Sequence, residues 1–267
     1  MTLSLVQERR TGSFPLLHDG LCCHLDFQSS ESPRTPREQV SGARPTSFDA
    51  TNIRDQWGNS ALSLDGATGE LQYPDRPTLR SPSTAFTLYG RVKFASLTPG
   101  GAVFGKDIGA TWYSWGIEID ASFCVCYLWN GTGQSAGAAV PGGGAMLDQW
   151  ISLFCRWTTG TAVWVEAYYD GGRVAMTRST GGTISGTLAY DARDLLVGTT
   201  TGGSHTAMDI SQMATWNRKI SDAEMFLLVT DPGVLRRRTN LSLAPLVAAP
   251  ADISHQPLRL SRKASSQ

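Results

Sequence analysis

Residues 86–94 read FTLYGRVKF, and this stretch decides the predicted fold. Its apolar and polar side chains alternate along the chain. The apolar set is Phe86, Leu88, Val92 and Phe94, and the polar set is Thr87, Tyr89, Arg91 and Lys93. Because successive side chains of a β-strand point to opposite faces, this pattern predicts a strand with one buried face and one solvent-exposed face. The apolar face then needs a second sheet that covers it.

The same alternation continues on the C-terminal side of this strand. Apolar residues recur at every second position in residues 151–157 and 163–169, and residues 170–172 (DGG) then favour a tight hairpin turn. Of the 267 residues, 41% are hydrophobic and 17% charged, with 28 glycines and 13 prolines, which suits short strands joined by turns. All-β sandwiches often reach this length as single domains. We therefore predict an all-β fold of two packed antiparallel sheets.

One short helix is predicted near the C-terminal end of the sandwich. Ser221 can cap its first turn while Glu224 reaches back to the cap, and Ile220 and Met225 can pack together across the start of the helix. Residues 231–232 (DP) end the helix, because a residue that precedes proline avoids the helical conformation.

The chain divides into three predicted parts. Residues 1–19 form an N-terminal arm, residues 20–232 form the sandwich, and residues 233–267 form a C-terminal arm. Within the sandwich, residues 20–59 are predicted to hold a first strand followed by a long polar surface loop. The C-terminal arm is too sparsely apolar for a core of its own, so we expect it to become ordered on a neighbouring molecule. Its predicted assembly contacts are Arg236, Arg237, Arg238, Leu241 and Leu243.

The charge balance and the terminal sequences limit the partners that we expect. Lys plus Arg total 23, and Asp plus Glu also total 23, so the chain lacks the basic field that nucleic-acid binding requires. Residues 1–10 are polar where a secretory signal needs about 7 to 15 apolar residues. No apolar run approaches the roughly 18 residues that span a bilayer. We expect no nucleic-acid partner, no membrane partner and no export by the usual route.

The five cysteines are predicted to be free thiols. They are Cys22, Cys23, Cys124, Cys126 and Cys155. Their spacing does not match a zinc site, and their number is odd. We expect them to be small buried apolar residues in a reducing compartment.

Several short segments occur in an order that resembles the LamG-like jelly-roll family of the concanavalin A-like lectin/glucanase superfamily. They are residues 61–66 (ALSLDG), 73–75 (YPD), 79–82 (LRSP), 91–94 (RVKF), 103–106 (VFGK), 114–117 (SWGI), 149–151 (QWI), 169–171 (YDG), 196–198 (LVG) and 216–224 (WNRKISDAE). The resemblance implies a two-sheet antiparallel jelly-roll sandwich of the concanavalin A/laminin-G type, with one short C-terminal helix and extended terminal arms. Members of this superfamily serve adhesion, glycan binding, accessory roles beside enzymes, and virion surfaces. The fold alone does not choose among these roles.

The resemblance also raises the question whether the chain hydrolyses glycosidic bonds. In the glucanases of this superfamily one strand carries Glu, Asp and a second Glu, since retaining hydrolysis needs two carboxyl groups about 5 to 5.5 Å apart. Here Glu118 and Asp120 are followed by residues 121–123 (ASF), so the second glutamate is missing. None of the four histidines lies in a nucleophile motif. We predict no catalytic residues and no enzyme, and a glycoside hydrolase is the third-ranked hypothesis.

Four aromatic residues beside a glycine-rich segment are the candidate ligand-binding residues. Trp112, Tyr113, Trp115 and Trp129 precede residues 131–144, and indole faces stack on the apolar faces of sugar rings. The alternative is that most of them pack in the core or at an interface.

No cofactor and no metal site is predicted. The resemblance alone allows a Ca²⁺ ion, because related domains hold calcium with loop carboxylates and carbonyls. The available acids are Asp107, Asp120, Asp191 and Asp209. No segment alternates acids in the manner of a calcium loop.

The leading functional hypothesis is a non-enzymatic structural protein of a bacteriophage virion, either a capsid decoration protein or a tail-associated module. It combines an adhesion-type domain without an export signal, free cysteines, and arms that need a neighbour. Residues 231–236 (DPGVLR) also resemble an ending common in phage LamG-like proteins. Such a protein would assemble in the host cytoplasm and contact the major capsid or tail protein and copies of itself. The alternative hypothesis is a lectin-like adhesion module that binds a host-surface glycan.

Overall fold

The fold consists of two antiparallel β-sheets packed face to face. The computed structural model describes residues 17–27, 36–80, 83–97, 101–106, 114–120, 123–130, 135–141, 146–170, 177–188, 192–231 and 233–236. Within these ranges one sheet has eight strands and the other has seven. The predicted all-β sandwich is confirmed.

We call the eight-stranded sheet A and the seven-stranded one sheet B. The spatial order of sheet A is β13 (Thr177–Ile184), β12 (Thr161–Tyr169), β11 (Trp150–Thr158), β6 (Ala85–Phe94), β15 (Ala207–Trp216), β4 (Ser60–Asp65) and β3 (Thr51–Arg54), and β1 (Leu21–Asp26) also pairs with β15. The order of sheet B is β10 (Ser135–Pro141), β9 (Phe123–Trp129), β8 (Trp115–Asp120), β7 (Gly101–Lys106), β14 (Leu195–Val197), β5 (Glu70–Tyr73) and β2 (Ser47–Asp49). Both sheets therefore interleave early and late parts of the chain.

The apolar face of β6 forms the centre of the core between the sheets. Phe86, Leu88, Val92 and Phe94 are all buried there, as the alternation predicts. Gly90 continues this face, and a Cβ atom built on it would lie 2.8 Å from a ring carbon of Phe104 on β7. The glycine is required because the opposite sheet occupies the space of its missing side chain.

Three of the four side chains on the polar face of β6 are not solvent-exposed, which corrects the sequence-based prediction, while Lys93 is 31% exposed. Thr87, Tyr89 and Arg91 are fully buried. Thr87 and Tyr89 are covered by a second apolar cluster on the outer face of sheet A, built largely by helix α1 (Asp222–Thr230) and the segments that flank it. Arg91 is covered by Asp55, Asp170 and Trp150. Strand alternation identifies the two faces of a strand, but it does not show whether an additional layer covers the second face.

The start of helix α1 follows the sequence-based prediction closely. The Oγ atom of Ser221 accepts a hydrogen bond from the backbone N–H of Glu224 at 3.3 Å, and the Glu224 carboxylate accepts one from the Ser221 backbone N–H at 2.8 Å. Ile220 and Met225 are both buried in the outer cluster. The capping box is confirmed, and it fixes the entry of the helix onto the sheet.

The segment predicted as a long surface loop contains two strands. Strand β2 belongs to sheet B and β3 to sheet A, and only Ala50 joins them. In the same segment Glu38 is buried and accepts hydrogen bonds from the backbone N–H groups of His24 and Val40. The prediction fails here because short edge strands are held by backbone hydrogen bonds to β5 and β4, which a polar composition does not reveal. Residues 28–35 lie outside the described ranges.

A disulfide joins Cys126 and Cys155, which corrects the prediction of five free cysteines. Cys126 lies on β9 of sheet B and Cys155 on β11 of sheet A, and their Cα atoms are 6.3 Å apart. The bond therefore crosses the core and links the two sheets. Its partners are 29 residues apart, and only the stacking of the sheets brings them together. Cys22, Cys23 and Cys124 are free.

None of the helices in the described part of the chain has the length and apolar character needed to cross a membrane.

Candidate functional site

The structure separates the four aromatic residues that the sequence groups together. Trp115 is only 2% exposed and packs in the core with its ring centroid 5.3 Å from that of Phe86. Its indole face cannot reach a sugar, so the prediction for Trp115 is wrong. Trp115, Ile117 and Ile119 stand at every second position of one strand. This spacing indicates that Trp115 faces the core together with the two isoleucines.

Trp129 lies at the end of β9, is half-buried, and leaves sheet B on the side opposite to Trp115. Leu128, the cross-strand partner of Trp115, lies in the core, so the next residue points outward. The backbone N–H of Trp129 donates a hydrogen bond to the Ser114 carbonyl at 3.0 Å. Trp112 and Tyr113 lie outside the described residues. The two described tryptophans do not form one binding surface.

A different tryptophan is exposed on the turn between β3 and β4. Trp57 is 63% exposed, more than the other large hydrophobic side chains of the described residues that reach solvent, Val40 and Tyr169. A single exposed apolar side chain is ordinary on a protein surface. What distinguishes Trp57 is the network that holds it.

The backbone of the turn is fixed by the buried Asp55. One oxygen of this carboxylate, Oδ1, accepts hydrogen bonds from the backbone N–H of Trp57 at 2.9 Å and of Asn59 at 2.8 Å. The backbone N–H of Asp55 donates to the Asn59 carbonyl at 2.8 Å, and Gly58 takes a positive φ of 78° to close the turn. The turn is therefore held by hydrogen bonds from both its backbone and its carboxylate.

The indole ring is held by its polar edge. The Nε1–H of Trp57 donates to Oδ2 of Asp170 at 2.6 Å, and the Gln56 amide donates to the same oxygen at 2.7 Å. These bonds fix the rotation of the ring while most of its surface stays in solvent. We call the exposed indole of Trp57, together with Gln56 and Asp170, the Trp57 platform.

A buried arginine supports the platform from beneath. Arg91 is 0% exposed; its Nη1 lies 2.6 Å from Oδ2 of Asp55, and its Nε donates to Oδ1 of Asp170 at 3.1 Å. Its Nη1 also donates to the Ser211 hydroxyl at 2.9 Å, and its guanidinium carbon lies 4.9 Å from the ring centroid of Trp150. One side chain thus joins the carboxylates that fix the turn and the indole.

The arginine stays charged in this environment. Burial opposes the charge on the guanidinium, but the hydrogen bonds and negative charges of Asp170 and Asp55 outweigh burial and raise the pKa of Arg91 above its ordinary value. The side chains of both aspartates are themselves almost completely buried. The network is therefore a rigid ionic support and not a set of groups open to solvent.

Sequence reasoning missed Trp57, although a signal was present. Residues 55–59 (DQWGN) place a tryptophan between the turn-forming residues Asp55, Gly58 and Asn59. A bulky aromatic in a polar turn has no neighbouring apolar residues with which to form a core. Its supports, Arg91 and Asp170, are distant in sequence.

The described part of the C-terminal arm belongs to the sandwich. Val234 and Leu235 are buried in the outer cluster, and the Nε atom of Arg236 lies 3.6 Å from a carboxylate oxygen of Asp26 on β1. This contact of Arg236 lies within the chain. Arg237, Arg238, Leu241 and Leu243 lie outside the described residues.

The acids considered for catalysis and metal binding are scattered. Glu118 is half-buried and alternates with the core residues Ile117 and Ile119, so it lies on the outer side of sheet B. Asp209 forms an ion pair with Lys93 at 2.7 Å. Among the residues that the structure describes, no three or more His, Cys, Asp or Glu side chains come together as a metal site. Asp107 and Asp191 lie outside them, as does the side chain of Asp120.

Comparison with solved structures shows the fold in other proteins. The binding domain of Paraclostridial Mosquitocidal Protein 1 has a TM-score of 0.61 at 8% sequence identity, over 79% of this chain and 52% of that one. The ligand-binding domain of botulinum neurotoxin serotype D, in complex with N-acetylneuraminic acid, has a TM-score of 0.60 at 8% identity, over 79% and 50%. Trypanosoma rangeli sialidase, in complex with 2,3-difluoro-KDN, has a TM-score of 0.56 at 15% identity, over 80% and 33%.

At these identities the similarity shows the fold alone. The chain spans about half the length of the two toxin domains and a third of the sialidase. No protein-family model matches the sequence, and no curated protein matches it.

Proposed function

We propose that this protein is a glycan-binding module that takes a sugar ring on the Trp57 platform. The observation that carries the proposal is an exposed indole fixed by its N–H to a buried carboxylate. Binding sites are lined by aromatic side chains and a few placed polar groups. An indole whose orientation is already fixed loses little conformational entropy when a ligand stacks on it. The platform is therefore suited to the apolar face of a pyranose ring.

The structural neighbours support a ligand of this class. The serotype D toxin domain was solved in complex with N-acetylneuraminic acid, and the botulinum neurotoxin DC binding domain was solved in complex with SialylT. Both are binding domains by name. The sialidase is an enzyme. For glucanase-type hydrolysis, the missing second glutamate after Asp120 supports binding without turnover in this chain.

The test is glycan-array binding of the full chain and of two tryptophan variants. We expect Trp57→Ala to abolish binding, because it removes the stacking surface, and we expect Trp129→Ala to leave binding unchanged. Thermal unfolding of each variant checks that the fold is retained. Equal binding by wild type and Trp57→Ala, or loss only in Trp129→Ala, would place the sugar elsewhere and overturn the proposal.

A virion role is a second candidate. We propose that a phage structural protein, in the capsid or the tail, can carry this module at the surface of the particle, with the terminal arms contacting other virion proteins. The terminal arms predicted from the sequence support this proposal, whereas the disulfide between Cys126 and Cys155 reduces the free cysteines that support it to Cys22, Cys23 and Cys124. Mass spectrometry of purified particles tests it. Absence of the chain from every fraction that contains capsid or tail protein would contradict it.

A further inference from the structure

The indole of the Trp57 platform has no hydrogen bond left to give to a ligand. Its Nε1–H is the one donor of the ring, and it is bound to Oδ2 of Asp170 at 2.6 Å. The exposed indole therefore offers a ligand its π face alone. Stacking on that face accepts any apolar ring surface, so a choice between sugars that differ in one hydroxyl needs a polar group nearby.

The two carboxylates beneath the platform cannot supply that group. A carboxylate has about four acceptor positions. Those of Asp170 are used by the indole and the amide of the platform and by two nitrogens of Arg91. Those of Asp55 are used by two backbone N–H groups of the turn, the Asn59 amide and Arg91. Both side chains are also almost completely buried, so a ligand in solvent does not reach them.

The amide of Gln56 is exposed and stands at the polar edge of the indole. Its Nε2 donates to the same Oδ2 atom of Asp170 at 2.7 Å, so the amide and the indole N–H meet at one oxygen. Because an ionised carboxylate only accepts hydrogen bonds, the amide nitrogen must be the atom that faces Asp170. The carbonyl oxygen of Gln56 is then left on the far side of the amide, and among the described residues it has no partner.

Resting on the proposed function, we infer that Gln56 determines which sugar the platform takes, because its carbonyl oxygen accepts a hydrogen bond from one hydroxyl of the pyranose that stacks on Trp57. The hydroxyls of a pyranose project from the edge of the ring, and the face of the ring lies on the indole. The ligand class is thus a pyranose with a hydroxyl donor at the edge beside Gln56. The amide and the hydroxyl are both neutral, so this contact does not depend on the charge of the sugar.

Replacing a hydroxyl by fluorine tests the direction of this hydrogen bond, because fluorine cannot donate. The probes are the methyl glycosides of glucose, galactose and N-acetylneuraminic acid, each with derivatives in which one hydroxyl at a time is replaced by fluorine. Ligand-observed NMR gives their dissociation constants for the full chain as wild type, Gln56→Met, Trp57→Ala and the control Gln39→Met. Gln39 is an exposed glutamine whose Nε2 donates to the Arg37 carbonyl at 3.0 Å.

We expect wild type to bind at least one parent glycoside and to bind one of its fluorinated derivatives roughly three- to tenfold more weakly, as for the loss of one neutral hydrogen bond. Gln56→Met keeps the length of the side chain and removes the amide. It should bind the parent as weakly as wild type binds that derivative, and the derivative should lose nothing further in this variant. Gln39→Met should change nothing.

The outcomes separate this inference from the proposed function. If Gln56→Met binds the parent as wild type does, or weakens the parent and every derivative by the same factor, Gln56 accepts no hydroxyl and the inference is overturned while the sugar site stands. Binding that survives Trp57→Ala, or no binding of any glycoside by wild type, overturns the site and the inference together. Loss of one hydroxyl's contribution in Gln56→Met alone supports the inference and identifies that hydroxyl.

Discussion

At the scale of single residues, a prediction succeeded where the interacting residues lie close together in the sequence and failed where they lie far apart. Ser221 and Glu224 are three residues apart, so the sequence alone shows that they can cap a helix, and they do. Arg91 pairs with Asp55 and Asp170, which lie 36 and 79 residues away. No local pattern brings these three together. The network of Arg91, Asp55 and Asp170 that supports the Trp57 platform therefore could not be predicted from the sequence. The turn that carries Trp57 could have been predicted.

His24 is a buried residue whose titration should make stability depend on pH. Burial, followed by the nearby positive charges of His18 and Arg236, lowers the pKa of His24 from 6.5 to about 3. Because the folded-state pKa lies below the unfolded value, the unfolded chain takes up a proton first as the pH falls. The contribution is complete above pH 6.5 and declines as the pH falls toward about 3.

We therefore expect the free energy of unfolding to fall from pH 6.5 to about 5.5 by up to about 1.4 kcal/mol per pH unit, above the range in which most carboxylates titrate. His24→Gln should flatten this part of the profile, since the neutral amide takes up no proton. Urea unfolding of both proteins at closely spaced pH values is the measurement. An unchanged slope in the variant would assign the pH dependence to another group.

At the scale of elements, strand alternation predicted the sheets well but not their covering. The core face of β6 was identified correctly because its period of two is a property of the strand itself. The burial of Thr87 and Tyr89 on its polar face depends on helix α1 and its flanking segments, and the burial of Arg91 depends on Asp55 and Asp170, all distant in sequence. The strands β2 and β3 were missed because backbone pairing with neighbouring strands holds them, and composition does not report such pairing.

The disulfide between β9 and β11 should contribute measurably to stability. It closes a loop of 29 residues, which in the chain-entropy description is worth roughly 3 to 4 kcal/mol. The double variant Cys126→Ala with Cys155→Ala should lose about this amount of unfolding free energy in urea. A reducing agent should produce a similar loss in wild type.

The matched control for this experiment is Cys22→Ala, which removes a half-buried free thiol. It should unfold like wild type and remain sensitive to the reducing agent. If reduction does not alter the unfolding midpoint of wild type, the two core thiols are not joined under the conditions used.

At the scale of the whole molecule, the boundary between sandwich and C-terminal arm is set by burial. Val234 and Leu235 are buried in the outer cluster, while the sequence-based boundary lies before them, at residue 233. The pattern of apolar residues does not predict the burial of Val234 and Leu235, because two residues are too few to show a period. The position of the helix on sheet A decides what the following residues contact.

Truncation tests this boundary. A chain that ends at residue 236 should keep the unfolding free energy of the full chain and its sugar binding. A chain that ends at residue 232 should be destabilised by roughly 2 to 5 kcal/mol, because two buried aliphatic side chains are lost from the outer cluster. Urea unfolding of the two truncated chains makes the comparison. Equal stability would show that residues 233–236 do not support the sandwich.

The position of β15 affects how the protein can fold during its synthesis. Among the described strands this one comes last in the sequence, yet it lies between β6 and β4 in the middle of sheet A. Until β15 has been synthesised, β6 and β4 lack the strand that pairs with both of them. The two parts of sheet A then remain separate, and each has an unpaired edge. Sheet A can therefore close only after β15 has been synthesised, and a chain cut before this strand would expose unpaired strand edges.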